Sequence, residues 1–296
     1  MNFNLLKSFA KINLALNVTG KLTKLHKVES IVAFVNLHDL ISIKRIDSIK
    51  HKISFNGNFS KNISRNNTVK TLFDILDAQK LLDGKKFQIK IKKNIPQKAG
   101  LGGGSMNAAN ILNFLIRKKN IKISQKKILK IASLIGSDVI LGINPKNTVL
   151  TSNNIMKKFS RSTIFHTLLV RPNFGCSTKK IYSRVRKFTR PVFNNPNKNM
   201  FSLKFLSKQE NVLEKIALLK YPKLKKLKSY LENLEKPLMV RMTGSGSVLV
   251  AYYQKKQDCE LAKVQFKRKY KNYWCNTSKT ISFFFFVIYE INIGPW

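Results

Sequence analysis

The chain has 296 residues, 43% of them hydrophobic, which suffices to bury a core in one large domain or two ordinary ones and excludes global disorder. Lysine and arginine number 56 against 14 aspartates and glutamates, a formal charge of +42. The lysines are dispersed among abundant Asn and Ile rather than gathered in one stretch, as in the product of a nucleotide-biased genome; this makes nucleic acid an unfavoured partner and leaves a field that speeds capture of small anions.

In chain order, residues 9–18 alternate as a strand, with Ile12, Leu14, Leu16 and Val18 on one face and Lys11, Asn13 and Asn17 on the other, away from the core. Taken alone this is an edge strand with a solvated polar face. Residues 30–36 and 40–43 read as two further strands joined around His38 and Asp39. Residues 68–82 have helical spacing at Val69, Leu72, Phe73 and Leu76, and Phe87, Ile89 and Ile91 alternate as a strand.

That strand runs into the most informative stretch, Pro96-Gln97-Lys98-Ala99-Gly100-Leu101-Gly102-Gly103-Gly104-Ser105-Met106-Asn107-Ala108-Ala109. Ala108, Ile111, Leu112 and Leu115 then recur at helical spacing, so a glycine loop opens directly onto a helix. Glycines admit close approach of the backbone, and free N–H groups at a helix start face negative charge, so the guest this cradle suits is a phosphate. Ser105 stands as the N-cap and Asn107 as a polar group of the first turn. The spacing is neither that of the P-loop nor that of the dinucleotide fingerprint, and a plain tight connection is the alternative.

Ser124 caps a helix carrying Ile128, Leu129, Ala132 and Ile135 and ending at Gly136. Asp138, one of the few acids, reads locally as the N-cap of another short helix. A domain border is expected near residues 144–147. Beyond it come a strand at 165–171, a surface loop at 184–200, helices at 211–219 and 223–234, and strands at 239–242 and 248–253 around the turn Thr243-Gly244-Ser245-Gly246-Ser247. This second glycine turn either braces the same phosphate site or is a simple hairpin. The apolar run 281–289 and the closing Gly294-Pro295-Trp296 read as a poorly integrated tail without assigned function.

Cys176, Cys259 and Cys275 are too widely spaced for a metal pair or a disulfide framework, as in a reducing cytoplasm. His26, His38, His51 and His166 have no zinc spacing either. Lys7 and Lys11 interrupt the apolar N-terminus, so no signal peptide is expected, and no run reaches the roughly 18 apolar residues of a membrane span.

Three segments in order, Ala10-Lys11-Ile12-Asn13, the loop from Pro96 to Ala109, and Met242-Thr243-Gly244-Ser245-Gly246, resemble the GHMP small-molecule kinases over roughly residues 8–280. The resemblance is strongest to the branch acting on 4-diphosphocytidyl-2-C-methyl-D-erythritol. It implies an α+β, two-lobed fold, with a ribosomal protein S5 domain 2-like N-terminal lobe (1–150), an α/β-plait C-terminal lobe (151–280) and the tail (281–296) outside both. It implies ATP-dependent phosphorylation of the 2-hydroxyl of that alcohol, in non-mevalonate isoprenoid synthesis. By the same resemblance Lys11 and Asp138 are the catalytic pair: Asp138 is the general base, and Lys11 holds it ionised and offsets charge on the phosphoryl group. Pro96, Gly100, Leu101, Gly102, Gly103, Gly104, Ser105, Asn107 and Asn67 fall on the ATP side. Mg²⁺ arrives with ATP near Ser105, with no metal ligands of the protein's own. Asn13, His26, Thr178 and Tyr182 fall on the substrate side, with His26 reading the cytosine edge and Tyr182 stacking on the base. The histidine stands in Thr23-Lys24-Leu25-His26, where the family has Asp, Gly and an aromatic before it, and Val212 replaces an aspartate. A mevalonate- or homoserine-type sibling, an RNA-binding protein and a decayed enzyme are the other readings, and a homodimer is left open.

Overall fold

The computed structural model describes residues 3–23, 25–160, 162–282 and 290–292. The elements are β1 (Asn4–Lys21), β2 (His26–Ile46), β3 (Lys52–Asn56), α1 (Thr68–Ala78), β4 (Lys86–Lys92), α2 (Gly103–Arg117), α3 (Gln125–Ile135), α4 (Val139–Gly142), β5 (Asn147–Leu150) and β6 (Ile155–Phe159). They continue with β7 (His166–Arg171), α5 (Thr178–Tyr182), α6 (Leu203–Leu206), α7 (Val212–Lys220), α8 (Pro222–Glu232), β8 (Met239–Met242), β9 (Leu249–Tyr253), α9 (Lys256–Lys269), β10 (Trp274–Lys279) and β11 (Glu290–Asn292). The chain forms two compact units that interleave in sequence.

The first unit comprises Met1–Ala10, Leu37–Gln97 and Gly102–Pro145. In it the second half of β2 pairs antiparallel with β4, from Leu40 opposite Lys92 to Ile46 opposite Lys86, and β4 pairs parallel with β3. Phe87, Ile89 and Ile91 are buried while Lys90 and Lys92 are exposed, as the alternation dictates. Helix α1 buries Val69, Leu72, Phe73 and Leu76, and each fully buried side chain of this size contributes about 1.5–3 kcal/mol. Ser124 caps α3 and Gly136 ends it. Helix α4 lies against α2, where a Cβ on Gly142 would fall 2.5 Å from the Cβ of Ala109. Asn113 Nδ2 donates to the Gly142 carbonyl at 2.8 Å across the same contact.

The second unit comprises Lys11–Asn36, Lys98–Leu101 and Lys146–Trp296. The first half of β2 pairs antiparallel with β5, β5 with β6, and β6 with β11. A separate antiparallel sheet has the order β10-β7-β9-β8. Its core joins Leu168, Val170, Leu249 and Ala251 to Leu224, Leu227 and Leu231 of α8 and to Ala262 and Phe266 of α9. The 224, 227, 231 spacing is the apolar stripe of a helix with one face inward.

Three expectations are corrected here. The polar face of β1 is not solvated: Lys11, Asn13 and Asn17 are buried along with the apolar face, because β1 pairs with β2, whose Ser30 and Glu29 partner Asn13 and Asn17. Residues 30–36 and 40–43 belong to one unbroken strand, since Asp39 is fully buried and hydrogen-bonded rather than turned to solvent. The 184–200 loop is tied inward: the Glu29 carboxylate accepts the N–H groups of Val192 and Phe193, and Phe193 is fully buried. Of the apolar tail, residues 283–289 and 293–296 lie outside the described residues.

Candidate active site

In the first unit, Gly102 is the N-cap of α2 in the left-handed conformation, φ 67°, and makes no side-chain capping bond. No acidic residue occupies the first turn. The open N–H groups and the positive end of the helix dipole therefore meet no internal anion from that turn. This corrects the expectation for Ser105, which is the third helical residue and half-exposed, not the cap. Gly104 is exposed, and its carbonyl accepts from Thr68 Oγ1 at 2.7 Å. Asn67 caps α1, its Oδ1 accepting from the N–H groups of Val69 and Lys70 at 3.1 Å each. Pro96 is buried at the start of the loop. Asn107 is only 1% exposed and donates through Nδ2 to Asp39 Oδ2 at 2.9 Å, so it faces inward beneath the loop.

Asp138 precedes α4 in helical conformation without making a side-chain capping bond, so its half-exposed carboxylate is not committed to the helix end. The packing of α4 on Met106 and Ala109 of α2 holds it in the same unit as the loop helix.

In the second unit Lys11 to Asn13, the loop residues Lys98 to Leu101 and the turn from Met242 to Gly246 converge. Lys11 is 4% exposed, and its Nζ donates to Asn13 Oδ1 at 2.8 Å. Asn13 Nδ2 donates to Ser30 Oγ at 2.8 Å, and that hydroxyl donates to the Ala15 carbonyl at 2.6 Å. The Asn13 N–H donates to Thr243 Oγ1 at 3.0 Å, and Thr243 Oγ1 in turn donates to the Gly100 carbonyl at 3.2 Å. Gly100 has φ 78°, and any Cβ there would lie 2.1 Å from the Thr243 carbonyl oxygen, so only glycine fits. The Lys11 N–H donates to the Leu101 carbonyl at 3.1 Å. Asn211, the cap of α7, fastens the turn from behind by donating to the carbonyls of Met242 and Gly244 at 2.8 and 2.7 Å. The second glycine turn is thus both a hairpin between β8 and β9 and a brace for Gly100.

Also in this unit, the rings of His26 and Tyr182 lie 5.1 Å apart, tilted by 40°. Burial, with help from Lys21, pushes the His26 imidazole below its ordinary value, which favours the neutral ring with one donor and one acceptor nitrogen. Thr178 Oγ1 and Ser245 Oγ are 2.7 Å apart, joining the start of α5 to the glycine turn. Ser30, Asn211 and Asp39 join the site here without a motif of their own in the sequence. Their partners are mostly remote in sequence; only the isolated Ser30 ahead of an apolar run, and the rarity of acids, mark two of them.

The model of the GHMP kinases N terminal domain matches residues 67–145, and that of the GHMP kinases C terminal domain matches residues 189–272. A 4-diphosphocytidyl-2-C-methyl-D-erythritol kinase of Pelagibacter ubique is 56% identical over 281 residues, covering 95% of this chain and 100% of that one. The enzyme of the same name from Petrotoga mobilis is 32% identical, covering 82% and 96%. Among solved structures, a 4-(cytidine 5'-diphospho)-2C-methyl-D-erythritol kinase superposes with a TM-score of 0.74 at 22% identity, covering 93% and 99%. A homoserine kinase from Cytophaga hutchinsonii gives 0.67 at 14%, covering 94% and 95%, so the fold is common to kinases of different alcohols. Two family models that together match more than half of the chain, and a relative that spans nearly all of it, show that the chain belongs to the GHMP kinase family.

Proposed function

We propose that this kinase transfers the γ-phosphoryl group of ATP to the 2-hydroxyl of 4-diphosphocytidyl-2-C-methyl-D-erythritol, a step of isoprenoid synthesis. The name shared by the relatives that span the chain supports this alcohol. The observation on the molecule itself that carries the reading is the pairing of His26 with Tyr182, which offers a flat aromatic surface beside a neutral imidazole. Such a surface suits a cytosine base; a mevalonate- or homoserine-type alcohol has nothing to place there.

In this reading Asp138 accepts the hydroxyl proton as the oxygen attacks the γ-phosphorus, while the bond from that phosphorus to the bridging oxygen breaks and ADP departs. Lys11, aimed by Asn13, offsets the charge spread over the transferring group. Asn13 and Thr178 orient the alcohol, and Gly100, Leu101 and Pro96 shape the loop. The N–H groups at Gly102, Gly103 and Gly104, with the Ser105 hydroxyl, hold the ATP phosphates. Asn67 and Asn107 serve that site from behind, as a helix cap and as an inward tie. Mg²⁺ would neutralise the phosphates. In this reading the ion would come with the nucleotide and be held beside its phosphates near Ser105.

All three cysteines are free, which supports a reducing, cytoplasmic setting, and no helix among the described residues is long and apolar enough to cross a membrane. The N-terminal domain, 1–150, would carry the phosphate loop and the catalytic pair, with Asn13 and His26 on the substrate side, and the C-terminal domain, 151–280, would add Thr178 and Tyr182 to that side. A homodimer is compatible with this account and not required by it. Replacing Asp138 with Asn tests the chemistry: turnover falls at least ~100-fold with binding of both substrates retained. Turnover unchanged in that variant removes Asp138 from the mechanism.

A further inference from the structure

Asp39 is fully buried and its carboxylate collects four donors. Oδ1 accepts the backbone N–H groups of Asn94 at 2.8 Å and Ile95 at 2.9 Å. Oδ2 accepts from the buried Lys93 ammonium and from Asn107 Nδ2, the latter at 2.9 Å. Lys93, Asn94 and Ile95 lead from β4 into the glycine loop, whereas Asn107 lies in α2 on the loop's far side. One carboxylate therefore holds both flanks of the loop.

Gly103 sits directly on this clasp. A Cβ there would fall 3.0 Å from Ile95 Cγ2 and 3.3 Å from Lys93 Nζ, so the loop backbone lies against the two residues Asp39 fixes. Asn107 is too deeply buried to touch a ligand, and turning its amide over would set Oδ1 against the carboxylate, so its orientation follows from Asp39. The shared partner makes the separation of the loop's two flanks a property of one side chain.

We propose that Asp39 is a positioning residue for ATP: it touches no substrate but sets the spacing at which Gly102, Gly103 and Gly104 present their N–H groups. The proposal rests on reading that loop as the ATP phosphate cradle. Two variants separate it from a purely structural role. The double variant Asp39→Leu with Lys93→Met replaces the buried pair by apolar groups of similar size and leaves no lone charge. Asn107→Leu cuts only the helix side and keeps the ion pair, so it decides the matter if the double variant does not fold.

In the folded variants KM for ATP rises about tenfold, and affinity for a non-hydrolysable ATP analogue, measured by calorimetry, falls by a similar factor. KM for the cytidine alcohol stays within about twofold. A lower melting temperature with both KM values and the analogue affinity unchanged overturns the proposal. The titration needs no turnover. A wild-type protein that binds the analogue but phosphorylates no cytidine alcohol counts against the substrate reading, and the clasp is then judged by analogue binding alone. A wild-type protein that binds no analogue overturns both.

Discussion

Two buried lysines, one in each unit, have different side-chain settings. Lys93 follows β4 beneath the glycine loop and pairs with the fully buried carboxylate of Asp39. Lys11 lies in β1 and gives its ammonium to the amide oxygen of Asn13, itself fixed by Ser30 and Thr243. The Asp39 carboxylate cancels the charge of the ammonium it holds, whereas the Asn13 amide oxygen orients the Lys11 ammonium from two positions along the same strand. The first arrangement secures a backbone; the second aims a cation at a ligand.

The sharpest way to break this contrast is to replace each lysine by methionine. Lys11→Met should lower kcat about 100-fold or more while the melting temperature changes little, because what it removes is charge stabilisation of the transferring group. Lys93→Met should instead cost about 3–5 kcal/mol of stability, since Asp39 is left as an unpaired buried charge. Steady-state kinetics beside thermal melts distinguish the two, and equal behaviour of both variants would dissolve the distinction.

A third lysine sharpens it. Lys158 on β6 is buried near the like charge of Lys146, and its ammonium is pulled down to about 7. Its folded-state value lies below the ordinary 10.5, so between these limits the unfolded chain binds the extra proton and stability rises with pH. Lys158→Met should therefore raise the melting temperature at pH 7 by several degrees, a gain that shrinks toward pH 10. A gain independent of pH would assign the effect to packing alone.

The smallest effect belongs to His26. Its value lies below the ordinary 6.5, so the neutral ring prevails at pH 7 and above. KM for the cytidine alcohol should be flat from pH 7 to 8 and rise a few-fold only as the pH falls below the ordinary histidine value of 6.5 and the ring protonates, with that rise absent in His26→Leu. An unaltered profile in the variant would take His26 out of substrate recognition.

The glycine loop, the helix after it and most strands and helices were legible in the sequence because apolar period and glycine chemistry are local signals. Ser105 has the residue type of a cap, and cap preference is local too. The helix instead begins three residues earlier than such a cap implies, with Gly103 and Gly104 inside it and Gly102 left-handed before it. Leaving that end uncapped is of use only to a ligand, which residue preference does not register. His38 and Asp39 read as a joint between strands because acids favour turns. The donors that make Asp39 a buried residue of one continuous strand come from Lys93, Asn94, Ile95 and Asn107, 54 to 68 positions away. The same holds for Lys11, whose setting depends on Thr243 through Asn13, 230 positions on. Local pattern thus gave the elements and the motifs, and long-range polar partners decided which of their side chains are buried.

The most direct measurement is ATP-dependent phosphorylation of 4-diphosphocytidyl-2-C-methyl-D-erythritol by the purified protein, with mevalonate and homoserine offered in parallel. The account predicts turnover of the cytidine alcohol alone, lost in Lys11→Met. Turnover of mevalonate or homoserine in its place, or none by folded protein that binds ATP, would contradict it.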